Sequence, residues 1–163
     1  MKTLSNDNDA AVRASAYDNM WVFEKQDFDV ILRNAVACEK DGTARSYAIC
    51  SLYDLYSENS CDTAGLIAFM HKLYRTEKNR RCKLQYLRNF YLSGETDKLS
   101  EIIGYLEDKD YRMRITVVNT ISEMLNKENK EVLLSVAKKR LKSEKSVAVK
   151  ASLEKFVSDA EYM

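Results

Sequence analysis

The sequence predicts an all-α protein, an array of about nine helices paired into hairpins. Three features carry that expectation: no proline and only four glycines among 163 residues, apolar residues at helical spacing, and one register that recurs five times. Hydrophobic residues make up 45% and charged residues 31%, a helix-rich, water-soluble composition. So little Gly and Pro argues against a sandwich or a barrel, whose many tight turns need both. The apolar content is too high for a disordered chain. At this length about two-thirds of the unfolded surface can be buried, so stability requires neither disulfides nor a metal.

Leu99, Ile102, Ile103 and Leu106 follow the i, i+3, i+4, i+7 pattern, and Val132, Leu133, Val136, Ala137 and Leu141 nearly do. No segment shows the sustained alternation of a strand. Polar clusters at 39–42, 57–60, 93–95, 107–110, 126–129 and 143–146 divide the chain. The expected helices are roughly 9–24, 27–38, 43–57, 62–75, 78–92, 96–107, 110–126, 129–142 and 145–160. Connections this short make neighbours antiparallel.

The odd-numbered helices share a register. Asp9, Val12, Arg13, Ala16 and Met20 open the first, and Asp41, Ala44, Arg45, Ala48 and Leu52 the second. Asn79, Cys82, Lys83, Tyr86 and Phe90 follow in the third, then Asp110, Met113, Arg114, Val117 and Ile121 in the fourth. Ser146, Val149, Lys150, Leu153 and Val157 complete the fifth, so the basic position recurs after 32, 38, 31 and 36 residues. The short polar residue at each start suits an N-cap and the positive end of the helix dipole. The basic residue four positions on is placed to pair with it. The apolar residue before the basic one, with those three and seven after it, forms the buried stripe. Each even-numbered helix is then expected to fold back on the odd one before it.

This pattern resembles the HEAT-repeat family over about residues 8–160. Repeats one, two and four match it well. Repeats three and five depart from it, with Asn79 and Ser146 for the acid and Lys83 and Lys150 for arginine, and the family's turn proline is absent throughout. The resemblance implies one domain over 1–163, a right-handed α-solenoid of about four and a half hairpins, with repeats at about 8–40, 41–76, 77–108, 109–143 and 144–160. In that family the second helix of each hairpin lines a concave face. The partner-binding residues it implies here are Asp29, Arg33, His71, Arg75, Glu101, Tyr105, Lys138 and Lys142.

Other chemistry finds little footing. Cys38, Cys50, Cys61 and Cys82 form no C-x-x-C pair, and His71 is the only histidine, so zinc-ligand spacing is missing. Cys38, Cys50 and Cys82 read as small buried hydrophobes in a reducing cytosol. HEAT-type di-iron hydroxylases carry repeated His-Glu pairs, and this chain has none. No G-x-S-x-G or phosphate-cradling G-x-x-x-x-G-K occurs. The expectation is a non-enzyme without metal or cofactor. The N-terminus lacks the apolar stretch of a secretory signal, and the longest uncharged apolar run, 63–70, falls short of the roughly 18–20 residues of a membrane span. A cytoplasmic protein with no membrane partner is expected.

The ten tyrosines read chiefly as packing between repeats, and Tyr17 with Trp21 as an i, i+4 aromatic pair near the N-terminal end that could cap the core or contact a partner. Charge is uneven: 1–77 carry a net −4, 78–143 a net +6 and 144–163 a net −1. Lys78, Arg80, Arg81 and Lys83, then Lys138, Lys139, Arg140 and Lys142, joined by Arg112 and Arg114, could stack into a basic stripe. The expected function is noncatalytic protein binding by an adaptor or inhibitor, one form being an immunity protein that neutralises a cognate toxin. The alternative is nucleic-acid binding along the basic C-terminal stripe.

Overall fold

Polar residues at the helix starts divide the chain much as the register predicts. The computed structural model describes residues 1–163, and all its regular structure is helical. Nine α-helices follow in order: α1 (Ala10–Asp18), α2 (Lys25–Cys38), α3 (Gly42–Glu58), α4 (Ala64–Tyr74), α5 (Arg80–Leu92), α6 (Lys98–Gly104), α7 (Tyr111–Glu123), α8 (Lys130–Ser143) and α9 (Val147–Tyr162). Short 3₁₀ turns sit at Leu4–Asn6, Met20–Val22 and Tyr105–Glu107. No helix is long and apolar enough to cross a membrane.

Four of the five expected caps form. The side chains of Asp9, Asp41, Asn79 and Asp110 accept hydrogen bonds from backbone N–H groups in the first turns of α1, α3, α5 and α7. Ser146 makes no side-chain cap bond; its own N–H is instead donated to Glu144. Three helices stop at least three residues earlier than expected, among them α6, which ends at Gly104 where the chain tightens into the 3₁₀ turn Tyr105–Glu107. α1 ends at Asp18, where the Asn19 side chain donates back to the Ser15 carbonyl at 2.8 Å and the chain tightens into a 3₁₀ turn. Helix α7 ends at Glu123, because Asn126 and Asn129 bond each other's backbone N–H groups and Asn129 donates to the Met124 carbonyl. The break in α1 also dissolves the expected Tyr17–Trp21 pair. Tyr17 is buried and donates to the Ser5 carbonyl, whereas Trp21 stands exposed in the 3₁₀ turn.

The residues form two compact units, Met1–Gly94 and Glu95–Met163. In the first, α3 packs against α1, α2 and α5, and α4 runs beside α5. In the second, α9 packs against α7 and α8, and the 3₁₀ turn after α6 packs on α7. The expectation that each even helix lies on the odd one before it needs correction. The backbones of α2, α4 and α8 lie mostly alongside α3, α5 and α9, the helices that follow them across three- to five-residue loops. The stripe behaves as the register predicts: Ala16, Met20, Ala44, Ala48, Leu52, Cys82, Tyr86, Phe90, Met113, Val117, Ile121, Val149 and Leu153 are all buried, and only Val12 and Val157 are half-exposed. Tyr17, Tyr53, Tyr56 and Tyr86 join the core, as packing tyrosines should, while Tyr47, Tyr111 and Tyr162 are exposed. Cys38 departs from expectation: it is exposed at the C-terminal end of α2, beyond the last buried turn, and only Cys82 is buried.

A polar seam joins α3 to α5. Asn89, fully buried, donates to the Ile49 carbonyl at 2.8 Å, and Arg88 donates to both Asn89 and Asp54 at 3.0 Å. At the start of the same seam Gly42 meets Asn79. A β-carbon built on Gly42 would lie 2.0 Å from Asn79 Nδ2 and 2.8 Å from its Cγ. Asn79 cannot swing away freely, because its Oδ1 caps α5 through the N–H groups of Arg81 and Cys82. Gly42→Ala is therefore expected to destabilise the first unit by about 0.5–2 kcal/mol, the usual worth of an N-cap. In an Asn79→Gly background the same substitution should cost clearly less; equal costs in denaturant unfolding would show that the two residues are not coupled.

Candidate interaction surface

The recurring basic residues do not pair with the caps of their own helices. The cap carboxylates are turned onto backbone N–H groups, and the arginines reach an acid 26 to 32 residues further on. Arg13 grips Glu39 through Nε and Nη2 at 2.7 and 2.9 Å, Arg45 grips Glu77 at 3.1 and 3.0 Å, and Arg114 grips Glu144 at 2.8 and 2.7 Å. In each case Nη1 donates to carbonyls of the loop before the arginine's own helix: Asp7 and Asn8, Glu39, and Asp108 and Lys109. Each glutamate in turn accepts the N–H two residues on, from Asp41, Asn79 and Ser146 at 2.9, 2.7 and 2.8 Å. One clamp thus ties the start of an odd helix to the loop that opens the next odd helix. The fork needs a guanidinium, which explains why the lysine positions behave otherwise. Lys83 lies over the Tyr74 ring at 5.7 Å, and Lys150 is exposed.

These contacts set the electrostatics. The Arg13 fork holds the Glu39 carboxyl well below its ordinary value, at about 2, against an opposing push from burial. Arg114 does the same for Glu144, also to about 2, aided by the Ser146 N–H and by Arg140. Burial pushes Glu77 up, but Arg45 and the Asn79 N–H outweigh it and the net direction is down. Burial pushes the Cys82 thiol up to about 12.

The eight expected contact residues fall four to each unit. In the first, Asp29 and Arg33 pair at 3.0 Å, and the Arg33 guanidinium lies over the Tyr56 and Phe69 rings at 5.5 and 5.1 Å. Lys25 also covers Tyr56, at 4.5 Å. The His71 ring stacks on Phe90 at 3.9 Å and is half-buried, while Arg75 is exposed at the end of α4. In the second unit Glu101 and Lys142 are exposed, Tyr105 is half-buried, and Lys138 pairs with Glu161 at 2.6 Å. The stripe residues of that unit are largely engaged. Arg114 is in its clamp, Arg140 bonds Glu107 and Glu144, and Arg112 bonds Asp110, leaving Lys139 and Lys142 exposed without ion pairs. The first unit carries an open groove of about 570 Å³ over Lys2, Tyr17, Asn34 and Glu39, and the second a depression of about 280 Å³ over Val118, Ser152 and Phe156.

No family model, no curated protein and no solved structure matches the chain. The likeness to HEAT repeats therefore rests on its own residues. The sequence reading missed the clamp glutamates, although a signal was present: an acid stands two residues before every helix-opening polar residue, at Asp7, Glu39, Glu77, Asp108 and Glu144. It also missed the exposure of the turn after α1, which no periodicity encodes.

Two predictions follow from the clamps. Glu144→Ala removes a fully buried carboxylate and strands Arg114, so it should cost about 3–5 kcal/mol, whereas Lys138→Ala, in an exposed pair, should cost no more than about 1 kcal/mol. Similar unfolding midpoints for the two variants would contradict the buried role. Because Glu39 and Glu144 titrate lower folded than unfolded, their contribution is complete above about pH 4.5 and drains away as pH falls toward 2. Stability measured from pH 5 to 2 should decline in that window, and less steeply in Glu144→Gln.

Proposed function

We propose that this chain is a noncatalytic protein-binding module, an adaptor or inhibitor built of HEAT-like hairpins. The observation that carries it is a set of large apolar side chains held in solvent on clamped helices and turns: Trp21, Val22, Phe23 and Val30 in the first unit, Tyr111 and Val132 in the second. Aromatic and branched side chains displayed on a rigid frame are what protein interfaces use. The perturbed groups lend support, since their shifts suit structure rather than reaction. Carboxyls held at about 2 are permanent anions near neutral pH, and a thiol at about 12 is not a ready nucleophile. The faces carrying Asp29, Arg33, His71 and Arg75, and Glu101, Tyr105, Lys138 and Lys142, are proposed contact surfaces. The inhibitor form would be an immunity protein that binds one cognate toxin.

Exposed Lys139 and Lys142 favour a second reading, nucleic-acid binding, but the acids that hold Arg112, Arg114, Lys138 and Arg140 thin the stripe. Affinity capture from nuclease-treated native lysate separates the two. A single protein retained at 1:1 stoichiometry is expected. Nucleic acid recovered from untreated lysate with no protein partner, and affinity falling by about 10³ or more over a fourfold rise in salt, would replace protein binding with the second reading.

A further inference from the structure

The only tryptophan of the chain lies outside the core. Trp21 is 38% exposed, Val22 59% and Phe23 42%, and together they form the turn between α1 and α2. That turn is held in place. The Asn59 side chain, at the end of α3, donates to the Phe23 carbonyl and accepts the Lys25 N–H, both at 3.2 Å. The Phe23 ring packs on Phe28 with centroids 4.9 Å apart. An apolar turn whose backbone is already fixed binds without a large ordering penalty, and aromatic side chains so placed are the usual hot spots.

Carboxylates rim this turn. Asp18 precedes it, Glu24 follows it and Glu58 adjoins Asn59; all three are exposed and none forms an ion pair. Asp54 stands one turn before Glu58, bound by Arg88 at 3.0 Å. Partial desolvation of its carboxyl, although the residue is exposed, with Asp54's charge pushes Asp18 up, and burial pushes Asp54 up against the pull of Arg88. Arg88 neutralises Asp54, and Lys25, over the Tyr56 ring, keeps its charge beside Glu24, so three unpaired carboxylates outnumber one ammonium here. An apolar centre with a net negative rim selects an apolar partner surface bearing positive charge.

We infer that the Trp21-Val22-Phe23 turn, rimmed by Asp18, Glu24 and Glu58, docks a cationic amphipathic segment of a partner protein. This rests on the protein-binding reading and gives it a surface and a partner chemistry. Apolar side chains of the segment cover Trp21 and Val22, and its lysines or arginines reach the rim. The same rim disfavours nucleic acid and anionic lipid at this edge.

Trp21 is its own reporter. The probe is a short helical peptide with one leucine face and one lysine face, titrated into the full chain at low salt while tryptophan emission is read. A saturable blue shift is expected. Both Val22→Lys and the pair Asp18→Lys with Glu58→Lys should weaken binding by about tenfold or more, and these solvent-exposed changes spare the fold. The inference is overturned by an absent or unsaturable shift, by an equal response to the peptide with glutamate for lysine, by variants that bind as well as the parent, or by a shift given by zwitterionic vesicles in place of the peptide. Capture with Val22→Lys keeps the two levels apart. A partner lost by that variant supports the edge. A partner held equally by parent and variant removes the edge but leaves protein binding standing, and a parent that holds no protein removes the protein-binding reading itself.

Discussion

A guanidinium fork closed on a glutamate recurs three times in this protein, and the arrangement of its helices depends on it. Each clamp gathers groups that would otherwise be left unpaired at a helix junction: loop carbonyls on the arginine side, N–H groups of the next helix start on the glutamate side. The guanidinium's planar donors match the two carboxylate oxygens in geometry and charge, and its remaining donors reach the loop carbonyls. The chain contains no proline to stiffen its turns, and the clamps take over that task. Arg13–Glu39, Arg45–Glu77 and Arg114–Glu144 each fix the direction in which the next odd helix departs.

The clamps also change what the charges mean. A count of basic residues suggests a continuous stripe toward the C-terminal half, yet Arg114 and Arg140 converge on one buried carboxylate, Glu144. Such cations are structural, and their fields are largely neutralised at source. Among the charges left for encounter are Asp18, Glu24 and Glu58 around one turn and Lys139 and Lys142 on α8. Net charge along the sequence is thus a poor guide to surface potential here, because pairing is unevenly distributed.

Apolar side chains show the same division. Those on the stripe positions are buried almost without exception, and the polar seam of Asp54, Arg88 and Asn89 fixes how α3 meets α5. Trp21, Val22 and Phe23 lie where α1 has already ended, so no stripe claims them. Asn59 holds their backbone in place without covering their side chains.

Local patterns in the chain were enough for the helical class, nine helices with boundaries mostly within three residues, the caps at Asp9, Asp41, Asn79 and Asp110, and the buried stripe. These follow from local spacing, because caps and helical periodicity act over one or two turns. The repeat register was legible for the same reason. Which acid each arginine takes depends on the packed fold. From the sequence Asp9 is the near partner of Arg13, four residues away, but its carboxylate is already spent on the first-turn N–H of Ala11, and Glu39 wins from 26 residues away. The same holds for Cys38, which the sequence sets among apolar neighbours and the fold leaves in water at the end of α2. Partner choice and exposure depend on which surfaces meet in space, and residues distant along the chain settle that.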